Sequence, residues 1–299
     1  MPELPDLEVY REALEARILG TRLERIRLTS PFLLRSVSPP LEEAHGRQVT
    51  GLRRLGKRLV FDLDEDLFLV LHLMIAGRLR WKSPGTAPPK KSGLAAFDFQ
   101  SGTLILTEAG SKKRASLHLA SGLEALTAHD PGGVEPLRVD LAKFRTVLES
   151  ERHTLKRSLT DPHLFAGIGN AYSDEILHRA RLSPFKLSDS LSAEEGERLL
   201  QATRTTLEEW TERLKTEVGD SFPEKVTAFR PEMAVHGRYG KPCPDCEAPV
   251  QRILYAETEA NYCARCQTEG RILADRVLSR LLKKDWPRSL DELERQRDR

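Results

Sequence analysis

Apolar residues change their spacing along the chain, and the changes separate three kinds of structure. In residues 5–19, Leu7, Tyr10, Leu14 and Ile18 recur at helical intervals, so the spacing predicts an amphipathic helix. Pro5 suits its first turn, where a missing N–H is harmless, and Gly20 suits its stop. From about 23 to 120 the period becomes strand-like. Runs at Leu59-Val60-Phe61, Leu67 to Leu73, Arg78 to Trp81, Ala96 to Phe99, Thr103 to Leu106 and Ala115 to Leu119 are divided by Gly, Asp, Pro and Ser turns. Several strands with no helix between them predict an antiparallel sandwich or barrel. Lys82 to Ser92, with Pro84, Gly85, Pro88 and Pro89, reads as a loop.

Ala120 to Pro136 holds Gly122, Pro131, Gly132 and Gly133 and reads as a linker. Beyond it the pattern is helical. The clearest helix spans Ala193 to Thr216, with Leu200, Leu207, Trp210 and Leu214 on one face and a capping box from Ser192 and Glu195. A last helix is predicted over about 271–284, with Leu273, Val277 and Leu281 on one side. The fold class is therefore α+β and multidomain, and 299 residues fit about two main domains.

No apolar run approaches the ~18 residues of a membrane span, and the opening Met-Pro-Glu-Leu-Pro-Asp has no basic or apolar leader. The expectation is a cytoplasmic monomer. Net charge is only +2, so any attraction to a polyanion must come from local clusters. Two exist: Lys112-Lys113-Arg114, and the C-terminal set Arg271, Arg276, Arg280, Lys283, Lys284 and Arg288. Each taken alone reads first as a solvated surface.

The four cysteines form two knuckles, Cys243-Pro-Asp-Cys246 and Cys263-Ala-Arg-Cys266, with sixteen residues between them. Four thiolates at this spacing suit one tetrahedral Zn2+. With all four positions filled by protein, the ion would fold a hairpin rather than do chemistry. Redox dithiols are the competing reading, but no thioredoxin-like βαβ pattern surrounds either pair.

The N-terminus carries different chemistry. A small residue after Met1 favours methionine removal, which would leave Pro2 with a free secondary amine. An α-amino group titrates near ~8, so part of it is neutral and nucleophilic at physiological pH. Glu3 could relay protons beside it, and Lys57, before an apolar strand, is a candidate cationic partner. Separately these signals are weak, since Met-Pro is a common start and a lysine at a strand end is usually just exposed.

Together they resemble the formamidopyrimidine-DNA glycosylase / endonuclease VIII family. Met1-Pro2-Glu3-Leu4-Pro5-Asp6-Leu7-Glu8 is similar to that family's N-terminal signature. Residues 166–175, Ala-Gly-Ile-Gly-Asn-Ala-Tyr-Ser-Asp-Glu, resemble its helix–two-turns–helix motif. His236-Gly237-Arg238, leading into Cys243, resembles the approach to its zinc finger. The resemblance implies an N-terminal helix and β-sandwich (1–121), a linker (122–136), a helical helix–two-turns–helix domain (137–228), a zinc-finger hairpin (229–267) and a C-terminal helical extension (268–299). It implies a base-excision-repair glycosylase and abasic-site lyase acting on double-stranded DNA with a damaged base or abasic site, associated with the nucleoid when bound. Pro2 would be the nucleophile, Glu3 the proton shuttle, and Lys57 a contact to the phosphate beside the lesion. Lys156, Asn170 and Tyr172 would bind DNA backbone, the latter two at a helix start that favours anions. The damaged nucleotide would be flipped out of the stack.

The chain departs from the family at lesion-reading positions. Met74-Ile75 stands where the family usually has Gly-Met, so Ile75, stiffer at χ1, would be the wedge. Glu108-Ala109-Gly110-Ser111-Lys112-Lys113-Arg114 replaces an Asp-Pro-Arg-Arg-Phe-Gly loop, keeping charge and losing the aromatic. Ser92-Gly93-Leu94 replaces His-Asp-His. Thr258 replaces a zinc-finger arginine, which implies β-elimination without efficient δ-elimination. The lesion stays open, and two other readings remain: a non-catalytic damaged-DNA binder on the same fold, and a zinc-ribbon protein-interaction module.

Overall fold

The computed structural model describes residues 1–255, 258–275 and 278–297. The chain divides into two compact units, Met1–Gly133 with Glu208–Ala228, and Val134–Leu207 with the chain from Phe229 onward.

Unit 1 begins with helix α1 (Leu4–Ile18), which buries Leu7, Tyr10, Leu14 and Ile18 as their spacing predicts. Gly20 ends it at φ +76°. Nine strands follow: β1 (Arg22–Leu23), β2 (Arg25–Leu28), β3 (Arg47–Leu55), β4 (Arg58–Leu63), β5 (Leu67–His72), β6 (Gly77–Lys82), β7 (Gly93–Phe99), β8 (Gly102–Glu108) and β9 (Ser116–Ser121). They form two antiparallel sheets, ordered β1-β3-β4-β5-β9 and β2-β7-β8-β6. The inner faces share one core. Leu59, Phe61, Leu69 and Leu71 from the first sheet meet Ile26, Leu79, Phe97 and Leu104 from the second, with α1 closing it. The rings of Phe61 and Phe97 lie stacked, 6.1 Å apart.

The unbroken apolar run of β5 has a local cause. Leu67, Leu69 and Leu71 enter the main core, while Phe68 and Val70 point the other way into a second cluster with Val60, Ala120 and Leu126. Leu126 belongs to α2 (Gly122–Thr127). The stretch read as linker thus contains a helix that covers the outer face of the sheet. Both faces being buried, the strand shows no alternation.

Unit 2 is helical with one hairpin: α3 (Leu141–Glu149), α4 (Leu155–Thr160), α5 (Asn170–Arg179), the 26-residue α6 (Ala193–Val218), β10 (Val250–Tyr255), β11 (Thr258–Cys263) and α7 (Ala264–Thr268). The predicted capping box of α6 is present: Ser192 N–H donates to Glu195 Oε2 at 2.9 Å and Glu195 N–H to Ser192 Oγ at 3.2 Å. Helix α6 runs past the division between the units at Glu208.

The helix expected over 271–284 is corrected. Residues 272–275 are not helical, and the described helices are the short α8 (Leu278–Leu282) and α9 (Leu290–Arg297). Leu273 packs under the hairpin while Leu281 is 75% exposed. Arg276 and Val277 lie outside the described residues, as does the side chain of Thr258. Among the described residues no helix is long and apolar enough to cross a membrane.

Candidate active site and nucleic-acid interface

The start of the chain is fixed by the start of α1. Glu3 N–H donates to Asp6 Oδ2 at 3.0 Å, and Glu3 carbonyl accepts from Leu7 N–H at 3.0 Å. Pro2 and Glu3 are consequently buried, Glu3 at 3% exposure. The terminal amine, on Met1 in the full sequence, is pushed below its ordinary value chiefly by burial; Arg78 and Lys57 act the same way, while Glu3 and Asp6 oppose. A lower value enlarges the neutral, nucleophilic fraction at neutral pH. Lys57 owes its place to a two-residue turn between β3 and β4, where Leu55 pairs with Arg58. Gly56 takes φ +58° there, the left-handed conformation such a hairpin asks of its first turn residue.

A second turn displays Ile75. Gly77 N–H closes onto Leu73 carbonyl at 2.9 Å, and a Cβ on Gly77 would lie 2.2 Å from that same oxygen, so only glycine fits. Arg78 braces the turn, donating to the carbonyls of Gly77 at 2.7 Å, Ile75 at 3.1 Å and Val226 at 2.6 Å. Ile75 is 56% exposed. Met74 sits at φ +53°, a conformation costing an L-residue about 1–2 kcal/mol.

The loop after β8 is organised by a buried carboxylate. Glu108 accepts Arg114 N–H at 2.9 Å and Ala115 N–H at 3.1 Å. The Lys113 ammonium turns back onto the Glu108 carbonyl. Lys112 and Arg114 are exposed, whereas Lys113 is half-buried. Three outward cations were expected, and two are displayed.

Sequence reasoning missed a histidine cluster on the outer face of the first sheet. His72 ends β5 opposite Arg58, and His118 of β9 lies two residues along the same face, its ring 4.5 Å from that of His129. Burial, with Arg58 and Lys57 nearby, drives the His72 imidazole down to about 4, and lowers His118 and His129 too. His72 Nε2 is buried without a protein partner. The three histidines are too scattered in sequence to announce themselves.

In unit 2, Gly167 at φ +81° and Gly169 as N-cap turn the chain into α5. Asn170 opens that helix and is half-exposed. The Lys156 ammonium donates to Asn170 carbonyl at 2.6 Å, Ser173 Oγ at 2.8 Å and Asp174 Oδ1 at 2.6 Å. Its three donors are thus occupied inside the protein, and it acts by fixing where α5 begins. The other oxygen of Asp174 meets His236 Nδ1 at 2.8 Å and Asn261 Nδ2 at 3.2 Å, while Glu175 accepts backbone N–H groups of Ala234, Val235 and His236 at 2.7–2.9 Å. These bonds tie α5 to the approach of the cysteine hairpin. Tyr172 is only 1% exposed. Its ring is core, and its backbone lies in the first turn of α5.

Hairpin β10–β11, paired from Val250↔Cys263 to Tyr255↔Thr258, brings the knuckles together. The sulfurs of Cys243, Cys246, Cys263 and Cys266 lie within 4.8 Å of one another, with Cys246–Cys263 and Cys246–Cys266 at 3.4 Å and Cys243–Cys266 at 3.9 Å. A tetrahedral ion with Zn–S near ~2.3 Å needs sulfurs roughly 3.8 Å apart, so the four thiols fit it. His178 Nε2 is 3.3 Å from Cys243 Sγ, and burial lowers that imidazole's pKa, so its neutral N–H can support a thiolate.

The chain matches two family descriptions, the formamidopyrimidine-DNA glycosylase N-terminal domain over residues 1–113 and the formamidopyrimidine-DNA glycosylase H2TH domain over residues 133–221. It is 35% identical over 280 residues to formamidopyrimidine-DNA glycosylase of Heliobacterium modesticaldum, covering 89% of this chain and 100% of that protein. It is 35% identical over 277 residues to that of Thermus thermophilus, covering 90% and 100%. Among solved structures, Lactococcus lactis Fpg in complex with DNA containing an abasic site superposes with a TM-score of 0.78 at 27% identity, covering 89% of this chain and 99% of that one. MutM in complex with DNA containing carbocyclic 8-oxo-G gives 0.78 at 28% identity, covering 89% and 100%. The buried N-terminus, the turn that opens α5 and the four-cysteine hairpin thus stand in a chain that belongs to the formamidopyrimidine-DNA glycosylase family.

Proposed function

We propose that the protein is a base-excision-repair DNA glycosylase with abasic-site lyase activity, and that Pro2 is its nucleophile. Family membership supports the glycosylase class. The observation that carries the chemistry is the burial of Pro2 beside the buried Glu3 at the start of α1, with Lys57 and Arg78 in the electrostatic surroundings of the chain's start. Once Met1 is removed, the Pro2 lone pair attacks C1′ of the damaged nucleoside while the glycosidic bond breaks, and the base leaves with the proton that the Pro2 nitrogen gives up. Glu3 delivers a proton to O4′ as the sugar ring opens, giving an iminium ion at C1′. Loss of a proton from C2′ then expels the 3′ phosphate, and water releases the enzyme. Lys57 neutralises a phosphate beside the reacting sugar, and His72, neutral at physiological pH, can donate to the same charge.

The turn opening α5 takes a second stretch of backbone through Asn170 and the N–H groups of its first turn, with Lys156 setting that turn from within. Ile75 fills the gap left by the flipped nucleotide, and Lys112 and Arg114 address the duplex beside it. The four cysteines hold one structural Zn2+, which supplies folding energy to the hairpin and no step of the reaction.

Borohydride reduction in the presence of a duplex with an abasic site tests this reading. A covalent protein–DNA adduct is expected with the parent chain and not with Pro2→Gly; Glu3→Gln should slow base release more than it slows cleavage at a preformed abasic site. Intact-mass analysis should find Met1 absent. A blocked N-terminus, or no adduct from the parent, would overturn the assignment.

A further inference from the structure

Unit 2 carries a cationic surface outside the residues assigned above. The segment after the second cysteine knuckle is built into the hairpin. Arg271 bridges Ser289, Ile272 N–H donates to Arg288 carbonyl at 2.9 Å, and Leu290 N–H to Gly270 carbonyl at 3.0 Å. Leu273 and Leu290 share the apolar cluster of Val250, Ile253, Tyr262 and Cys263. Leu273 N–H donates to Tyr262 Oη at 2.8 Å, and the buried Asp275 carboxylate accepts Leu254 N–H at 2.8 Å.

The described cations of this segment are left on the outside. Between 271 and 288 the sequence has six Lys and Arg against two acids, and one of those acids is the buried Asp275. Arg271, Arg280, Lys283, Lys284 and Arg288 are all exposed. Where Arg271 and Arg288 approach Arg265 of α7, they line a cleft of about 380 Å³ that also holds Glu269 and Asp291, three guanidinium groups against two carboxylates. Guanidinium forks match phosphate oxygens bidentately. Because the backbones of Arg271 and Arg288 are held by bonds to the hairpin's continuation, little ordering of the cleft remains to be done on binding. With so small a net charge on the whole chain, local surfaces like this must supply much of the field that a polyanion feels.

We propose that α7 and the C-terminal extension form a second seat for the DNA backbone, with a phosphate held in the Arg265–Arg271–Arg288 cleft; this rests on the DNA-binding part of the reading above but not on its chemistry. The test is equilibrium binding of the full chain to a fluorescent duplex carrying a tetrahydrofuran abasic-site analogue, titrated in KCl. The parent is compared with Arg271→Gln/Arg288→Gln and with Lys283→Gln/Lys284→Gln. Each lost phosphate contact lowers the slope of log K against log salt by about 0.9, so at least one pair should lose about 1–2 from the slope and several-fold in affinity at low salt. Borohydride adduct yield at saturating protein should not change.

The backbone bonds of Arg271 and Arg288 survive substitution, and melting temperatures check that both variants fold. The lysine pair lies outside that bond network and carries the test if the arginine pair does not fold. Parent slopes in both variants overturn the proposal and assign the cations, with the exposed Leu281 and Leu282 beside them, to a protein partner. Stabilisation by inorganic phosphate that disappears in the arginine pair, with DNA slopes unchanged, also overturns it and makes the cleft a free-anion site. Failure of the parent to form the borohydride adduct would strike the nucleophile assignment alone, since the salt slope needs no chemistry.

Discussion

Lys156 and Asp174 form an ion pair at 2.6 Å, with the carboxylate wholly buried and the lysine 8% exposed. Removing one partner leaves an uncompensated buried charge. Asp174→Ala should therefore destabilise unit 2 by about 3 kcal/mol or more. Asp174→Asn combined with Lys156→Met should cost less than the two single changes added together. Urea unfolding of the parent and the four variants measures both, and additivity would show that the pair is not coupled.

The turn carrying Ile75 makes opposite predictions at two positions. Met74→Gly relieves a left-handed residue and should stabilise the sandwich by about 1 kcal/mol. Gly77→Ala drives a methyl into the Leu73 carbonyl and should lower the melting temperature and slow base excision. Ile75→Ala, at an exposed site, should change stability by less than about 0.5 kcal/mol while slowing excision more than cleavage of a preformed abasic site. Thermal melts and single-turnover rates separate these effects.

Stability should fall on acidification through the histidine cluster. His72 titrates near 6.5 when unfolded and at about 4 when folded. Between those values the unfolded chain takes a proton that the folded chain refuses, so stability present above about 6.5 is lost as pH falls towards 4. The full effect is of order 3 kcal/mol, with His118 and His129 contributing in the same sense. Unfolding free energies from pH 7 to 4 should show this fall, and His72→Gln should reduce it; an unchanged profile would remove His72 as the cause.

Metal analysis should find one zinc per chain. Cys263→Ser or prolonged chelation should release it, with loss of hairpin structure by circular dichroism and of duplex affinity. Retention of both after complete demetallation would show that packing alone holds the knuckles.

What the sequence revealed depended on how local each signal was. Helix α1, the capped start of α6 and the two knuckles are written in neighbouring residues, and they stand where the spacing puts them. Strand β1 escaped because it is only two residues long, and β2 and β3 because they are rich in arginine and alternate weakly. Leu273, Val277 and Leu281 have helical spacing, yet Leu273 is drawn into the hairpin core and Asp275 into a bond with Leu254. Contacts distant in sequence decided that segment over local periodicity. In the candidate site, Pro2 and Glu3 entered as candidates through the resemblance of residues 1–8 and Lys57 through its place before an apolar strand; the structure buries the first two at the start of α1 and sets the third in the β3–β4 turn. The occupied donors of Lys156, the buried ring of Tyr172 and the histidine cluster depend on three-dimensional neighbours that no spacing encodes.

Leu290 lies in the same apolar cluster as Cys243 and Cys263. During synthesis, therefore, the knuckles emerge from the ribosome before one of the residues that packs beside them. Until that residue follows, the apolar cluster beside Cys243 and Cys263 lacks one of its side chains. A ribosome stalled within the final segment would present a cysteine hairpin with one wall missing.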